Sequence, residues 1–314
     1  MSAYVGRYAP SPTGDLHLGN LLAAVCAYAR ARAAGGKIWL RMEDIDTPRV
    51  VEGAARRIEE DLAALGFVFD AGPGCTGMGG PFVQSQCTAF YAAALALLRD
   101  SGRLYACRCS RRDLAMAASA PHAGEDGPAY PGTCRELGLP FDDPSLPVAW
   151  RFVVEPGVEE VEDALQGLYR QDVAQEVGDF VVRRKDGLLA YQLAVVVDDA
   201  RQGVTEVVRG RDLLSSAPRQ AQLFRALGAT PPRFAHLPLW CGPDGHRLSK
   251  RRGEGTLRTL LARGETPAQL IGRVGRALGV SSCGEPLSLD ELVTRIHDGV
   301  LRAQELRDDG PRLG

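Results

Sequence analysis

The sequence predicts an α/β fold built on an open parallel sheet, interrupted by an insertion and followed by a small helical region. Three observations predict it. Between residues 4 and 105, short apolar strands alternate with segments of helical periodicity. From about 106 the pattern gives way to a stretch rich in Ala, Gly and Pro, and regular strand–helix alternation returns near 176. At the first strand-to-helix junction stands His17-Leu18-Gly19-Asn20, a helix start of the kind that holds phosphates in such sheets.

The elements follow in order. Tyr4 to Tyr8 reads as a strand, and Ala9 to Asp15, with two prolines and a glycine, as a loop. From His17 to about Ala34, Leu18, Leu21, Leu22, Val25 and Cys26 recur at helical spacing, and Gly35-Gly36 ends the helix. Lys37 to Met42 reads as a buried strand. Thr47-Pro48 reads as a cap and first-turn proline, opening a helix that runs to Leu65 and stops at Gly66. Thr88 to Ser101 is helical and leads into the strand at Leu104-Tyr105. Val148 to Val154 is a strand inside the insertion. Phe180 to Val197 restores strand and helix, Ser216 to Leu227 is helical, and Leu257 to Leu278 and Leu287 to Leu301 make a helical C-terminal region. The divisions are 1–105 and 176–240 for two halves of a nucleotide-binding domain, 106–175 for the insertion, and 241–314 for a basic loop and helical cap.

Composition narrows the function. Net charge is −2, so contact with nucleic acid must come from local basic patches such as Arg108/Arg111/Arg112 or Arg183/Arg184/Lys185. No apolar run is long enough to span a bilayer, and the N-terminus lacks a secretory leader, which predicts a cytoplasmic protein and reduced thiols. Cys26 falls on an apolar helix face and reads as core; Cys75, Cys87, Cys241 and Cys283 have no partner spacing.

The chemistry is concentrated in two stretches about 230 residues apart. A helix N-terminus at His17 offers unpaired N–H groups and a positive dipole end to ATP phosphates, Gly19 lets a nucleotide approach the backbone, and His17 can donate to a phosphate oxygen. Arg247-Leu248-Ser249-Lys250-Arg251 reads as a loop that carries a lysine to the α-phosphate, where charge builds during displacement. Either stretch alone reads equally as a helix start or a solvated basic loop. Their order in an α/β chain gives the pair its meaning.

Together they resemble the HIGH and KMSKS signatures of class I aminoacyl-tRNA synthetases. Arg7-Tyr8-Ala9-Pro10-Ser11-Pro12-Thr13-Gly14, Arg41-Met42-Glu43-Asp44-Ile45-Asp46-Thr47 and Gln84-Ser85 resemble the glutamyl branch over about Tyr4 to Arg252. Two positions depart: Asn20 stands for the second histidine, and Arg247 for the first lysine. The resemblance implies a Rossmann-type parallel sheet with an inserted, zinc-containing acceptor-type subdomain. It implies ATP binding with Mg2+ at His17, Gly19, Asn20, Ser249 and Lys250, with His17, Gly19 and Lys250 catalytic. It also implies an L-glutamate pocket. There Arg7 pairs with the side-chain carboxylate, Ala9 and Ser11 lie in the contact loop, Glu43 receives the amino group, and Tyr191 and Arg209 complete the site. Guanidinium forks for acids and a carboxylate for an ammonium suit a dicarboxylic amino acid.

Cys107-X-Cys109 and Cys134 are three soft ligands, one short of a tetrahedron. By spacing, His122 and Tyr130 compete for the fourth place. The resemblance to small glutamyl-synthetase paralogues implies Tyr130, in Tyr130-Pro131-Gly132-Thr133-Cys134, and one Zn2+. Such paralogues, which lack an anticodon-binding domain, transfer glutamate to queuosine at the wobble position of tRNA(Asp). The sequence after Lys250 has room for a small cap only, and Leu193 to Asp199 and Gln202 to Gly210 also resemble that subfamily. The expectation is a monomeric enzyme that activates glutamate without tRNA and delivers it to queuosine-bearing tRNA(Asp). A truncated glutamyl-tRNA synthetase charging tRNA(Glu), and a non-catalytic paralogue binding glutamate or RNA, are the alternatives. Pantothenate synthetase and nucleotidylyl transferases share the helix start but not the Arg-X-Ala-Pro-Ser-Pro loop.

Overall fold

The computed structural model describes residues 3–110, 113, 129–241, 255–301 and 305–307. Strands β1 (Val5–Tyr8) and β2 (Lys37–Leu40) pair in parallel, Val5 opposite Lys37, across helix α1 (Leu18–Ala33). Strands β8 (Glu206–Gly210) and β9 (Arg233–Leu237) pair in parallel, Glu206 opposite Arg233. The two pairs meet where Thr205 N donates to Val5 O at 2.8 Å and Arg7 Nη1 to Val208 O at 3.0 Å. This is the α/β parallel sheet that the strand–helix alternation predicts. Strand β5 (Val158–Asp163) joins β9 in parallel at Asp163 and forms an antiparallel hairpin with β6 (Gly167–Asp172).

A second sheet is antiparallel. It places β4 (Ala149–Phe152) between β3 (Leu104–Cys107) and β7 (Phe180–Arg183). Helices α3 (Thr88–Asp100) and α5 (Tyr191–Arg201) pack on it through Tyr91, Leu98, Leu193 and Val196. The short helix α4 (Val173–Glu176) precedes β7, and α6 (Ser216–Ala226) links β8 to β9.

Helix α1 is buried almost all round, including all five residues whose spacing predicts it, because C-terminal helices cover the side the sheet does not. Those helices are α7 (Leu257–Ala262), α8 (Pro267–Ala277) and α9 (Leu289–Arg295), followed by α10 (Asp298–Leu301). Leu270, Ile271, Val274 and Leu292 share one core with Leu21 and Val25. Each fully buried aliphatic side chain there contributes about 1.5–3 kcal/mol. Strand β10 (Leu239–Cys241) pairs in parallel with β11 (Glu305–Arg307). Among the described residues no helix is long and apolar enough to cross a membrane.

Three sequence expectations are corrected. Thr47-Pro48 opens only a 3-10 turn, Thr47–Arg49, and α2 (Ala54–Ala64) begins after Gly53 at φ +71°. Val50 is extended and Val51 N donates to Pro12 O at 2.9 Å, so the backbone is spent holding the Pro10–Pro12 loop rather than continuing a helix. The spans Leu257 to Leu278 and Leu287 to Leu301 are likewise two helices each, the second broken at the extended Ile296. Gly264 sits at φ +96°, and Thr266 caps α8 with a reciprocal bond to Gln269.

Candidate active site

A cleft of about 490 Å³ opens at the C-terminal ends of β1, β8 and β9, against the start of α1. Arg7, Ala9, Ser11, His17, Gly19, Asn20, Glu43, Tyr191 and Arg209 all line it. Ser249, Lys250 and His122 lie outside the described residues, as do Arg111 and Arg112.

His17 is the N-cap of α1, in extended conformation at φ −119°, ψ 172°. Its Nδ1 accepts from Asn20 N at 3.3 Å, while its own backbone N donates to Asn20 Oδ1 at 3.1 Å. In a neutral ring this places the proton on Nε2, the nitrogen with which the ring can donate to an anion. No acid occupies the first turn, so the positive end of the helix is uncompensated there. A Cβ at Gly19 would lie 3.0 Å from His17 Cε1 and 3.1 Å from Nδ1, so glycine at this position also leaves room for the imidazole.

The loop before His17 is clamped by distant elements. Glu43 N donates to Pro10 O at 3.0 Å, Arg57 Nε to Asp15 Oδ1 at 2.6 Å, and Leu257 N to Leu16 O at 2.8 Å. Arg258 reaches α2, at 2.8 Å from both Glu60 and Asp61. The chain on both sides of residues 242–254 is therefore fixed beside the cleft: β10 lines it, and Leu257 is bonded to its helix-start loop.

The floor is a buried network of alternating charge. Arg41, fully buried, donates to Asp199 Oδ1 at 2.7 Å, Gln202 Oε1 at 2.8 Å and Glu43 Oε1 at 3.0 Å. Arg7 Nε also donates to Asp199 Oδ1, at 3.3 Å. Asp198, beside it, accepts from Gln84, Tyr91 and Arg201. Burial pushes the Asp199 carboxyl up, but Arg41 and then Arg7 outweigh it and leave it below the usual range. Burial would lower Arg41, yet Asp199, Glu43 and Asp198 hold its guanidinium above its ordinary value. At Glu43 burial wins over Arg41 and Arg7, and the carboxyl is raised.

Arg209 is different. It is only 6% exposed, and its partners are uncharged: His236 Nε2 at 2.9 Å, Gln220 Oε1 at 2.8 Å, Leu213 O at 3.1 Å and Tyr191 Oη at 3.3 Å. Burial first, and the charge of Arg7 among the rest, lower its pKa. A buried cation on a cleft wall without a directly bonded carboxylate can take its counter-charge from an anion in the cleft.

The three predicted thiols converge away from the cleft. The sulfurs of Cys107, Cys109 and Cys134 lie within 4.8 Å of one another, with Cys109 and Cys134 at 3.5 Å. A tetrahedral zinc with bonds of about 2.3 Å sets ligand sulfurs about 3.8 Å apart, so the group fits a metal. Tyr130 Oη is 3.4 Å from Cys107 Sγ and 3.7 Å from Cys109 Sγ, and accepts from Cys134 N at 3.0 Å. Gly178, at φ +70°, lets the Tyr130 backbone lie against it: a Cβ there would lie 2.2 Å from Tyr130 O. The Arg151 guanidinium covers the Tyr130 ring at 3.6 Å. Asp179 ties this unit together, accepting from Tyr105 at 2.7 Å and from Arg135.

The described basic residues nearby are partly committed. Lys185 donates to Arg108 O at 2.6 Å, Arg184 to Asp186 at 2.6 Å, and Arg183 stacks on Trp150 at 4.8 Å.

Sequence reasoning missed the roles of Arg41, Asp198, Asp199, Asp163 and His236. A signal existed for the first three: Arg41 interrupts an apolar strand, and Asp198-Asp199 follow Leu193 to Val197 on a buried helix. Asp163 and His236 carried none.

A family model described as tRNA synthetases class I (E and Q), catalytic domain, matches residues 4–300. A Glutamyl-Q tRNA(Asp) synthetase of Symbiobacterium thermophilum is 46% identical over 298 residues, covering 92% of this chain and 90% of that protein. Another, from Dechloromonas aromatica, is 52% identical over 252 residues, covering 80% and 79%. Among solved structures, a glutamate tRNA ligase from Elizabethkingia meningosepticum, in complex with its amino acid, superposes with a TM-score of 0.83 at 27% identity. It covers 98% of this chain and 67% of that one.

Proposed function

We propose a reaction from one premise: the chain belongs to the class I tRNA synthetases of the E and Q type, and within them to the glutamyl-Q tRNA(Asp) synthetases. The reaction is activation of L-glutamate with MgATP, without tRNA, followed by transfer to queuosine in tRNA(Asp). In the first step a glutamate carboxylate oxygen attacks the α-phosphorus, the bond to the β-phosphate oxygen breaks, and pyrophosphate leaves. In the second a queuosine hydroxyl attacks the adenylate carbonyl, and AMP leaves with the electrons of the broken carbon–oxygen bond. The protein's share is positioning and charge stabilisation.

The observation that carries this reading is Arg209, buried on the cleft wall among uncharged partners. Arg7 and Arg209 take the carboxylates of glutamate, Glu43 its ammonium, and Tyr191, Ala9 and Ser11 shape the pocket. His17 Nε2 and the α1 N-terminus hold phosphate oxygens, with Gly19 and Asn20 keeping that corner in shape. Mg2+ arrives with ATP. Ser249 and Lys250 belong to the segment between β10 and α7, two elements that sit beside the cleft, and Lys250 follows the charge on the α-phosphate. Zn2+ in Cys107, Cys109, Tyr130 and Cys134 would tie the 106–175 unit together, and that unit receives the RNA. The enzyme acts as a cytoplasmic monomer.

Glutamate-dependent exchange of labelled pyrophosphate into ATP, without RNA, tests the first step. The wild type exchanges, and Arg209→Ala and Lys250→Ala each lose about a hundredfold or more while keeping native circular dichroism. Exchange that needs tRNA would overturn the tRNA-independent step. Normal exchange in folded Lys250→Ala would remove that lysine from the reaction.

A further inference from the structure

Behind Arg209 lies a pair of residues that the reaction above does not use. His236, on β9, is fully buried, and its Nε2 accepts from Arg209 Nε at 2.9 Å. Its Nδ1 lies 2.5 Å from Asp163 Oδ2, at the end of β5. Asp163 is 2% exposed and held by backbone donors: Leu165 N at 3.0 Å and Gln166 N at 2.9 Å on Oδ1, and His236 N at 3.2 Å. Phe234 stacks near the imidazole at 5.9 Å, and Arg209 Nη2 already takes the carbonyl of Leu213. Asp163 and Arg209 are the charged groups that face the ring.

The hydrogen positions follow from chemistry. An arginine Nε is always a donor, so His236 Nε2 must be an acceptor. The ring proton then sits on Nδ1 and is donated to Asp163. We infer that Asp163 and His236 are positioning residues for the substrate-binding arginine: the carboxylate fixes the imidazole tautomer, and the imidazole fixes the plane of the Arg209 guanidinium toward the cleft. The inference rests on the assignment of Arg209 to the glutamate pocket. It adds that the pocket's geometry is set two residues deep, from a strand that does not line it.

Two substitutions separate the halves of this relay. Asn places its amide where His has Nδ1, and Gln where His has Nε2. His236→Asn keeps the bond to Asp163 and loses the acceptor for Arg209; His236→Gln keeps the acceptor. His236→Asn raises the glutamate KM about tenfold or more with the ATP KM unchanged, and His236→Gln brings it back to within about threefold of wild type. Equal glutamate KM in folded Asn and Gln variants would overturn the relay. A second measurement does not depend on catalysis. Long-range proton–nitrogen correlation, assigned by the signal lost in His236→Gln, shows Nδ1–H and unprotonated Nε2 at pH 7.5. A proton on Nε2 would overturn the inference whatever the KM values of the variants. A wild type without glutamate-dependent exchange would overturn the proposed function, while the tautomer would still decide the relay.

Discussion

A guanidinium removed from water needs its donors satisfied and its charge balanced. Arg41 and Arg7 have their charge balanced within the chain by Asp199 and Glu43, and Gln202 Oε1 and Val208 O take further donors, although Arg41 Nε has no hydrogen-bond partner among the described residues. Arg209 meets only the first, so the second falls to whatever binds. This gives the cleft a pH dependence of definite sign. Burial, ahead of the opposing pull of Asp163 and the push of Arg209, holds His236 below its ordinary value of 6.5. The folded protein therefore keeps the ring neutral at a pH where the unfolded chain protonates it. Stability from this group is complete above about pH 6.5, drains as pH falls from there toward the depressed folded value, and levels below it. Asp199, also depressed, adds stability that is present above its unfolded value of about 3.9 and is lost as pH falls through the folded value. Protonated His236 would turn its Nε2 from acceptor to donor against Arg209. Tm is thus expected to begin falling below about pH 6.5, glutamate affinity, measured by calorimetry, to fall only at the lower pH where the folded ring takes up its proton, and His236→Gln to lose the part of each fall due to the ring. A His236→Gln variant whose Tm falls between about pH 7 and 5 as steeply as the wild type's would contradict this.

At the scale of elements, the cysteine unit carries the clearest expectation. Cys109→Ser removes one of three convergent sulfurs, so bound metal, measured by elemental analysis, drops below stoichiometric. Tm falls as well, because β3 supplies Cys107 to the unit and Tyr105 to Asp179. Unchanged stoichiometric zinc would exclude the site. The elements themselves were legible where the cause of structure is local. Strand β1, helix α1 with its His17 cap, and α3 lie where spacing and glycines put them. Legibility failed where a distant partner overrides local preference. The helix expected at Thr47 gives way because Val51 N is taken by Pro12 O, and the long C-terminal helix breaks at Gly264. The same distinction divides the site. Residues on recognisable motifs, such as Arg7, His17, Glu43, Tyr191 and Arg209, are brought to one cleft. Their supports went unpaired, even where a buried charge such as Arg41 or Asp199 showed in the sequence, because each pair spans much of the chain: Arg41 with Asp199 is 158 residues apart, and His236 with Asp163 is 73.

At the scale of the whole molecule, two parallel strand pairs set side by side, β1-β2 and β8-β9, bring together loops from four regions of the sequence at the C-terminal ends of their strands. The C-terminal helices cover α1 and bond Leu257 to Leu16, beside the start of α1. The antiparallel sheet carries the cysteine unit and supplies α5, whose first residue is Tyr191 and whose Asp199 orients Arg7 and Arg41. Cleft and cysteine unit are thereby two parts of one scaffold, as the proposed activation and delivery to RNA would require. The central claim is the acceptor. The most direct test is transfer of labelled glutamate, with ATP, to tRNA(Asp) bearing queuosine, to the same tRNA without queuosine, and to tRNA(Glu). The expected result is label on the queuosine-bearing tRNA(Asp) alone; label on tRNA(Glu), or equal label on both forms of tRNA(Asp), would contradict it.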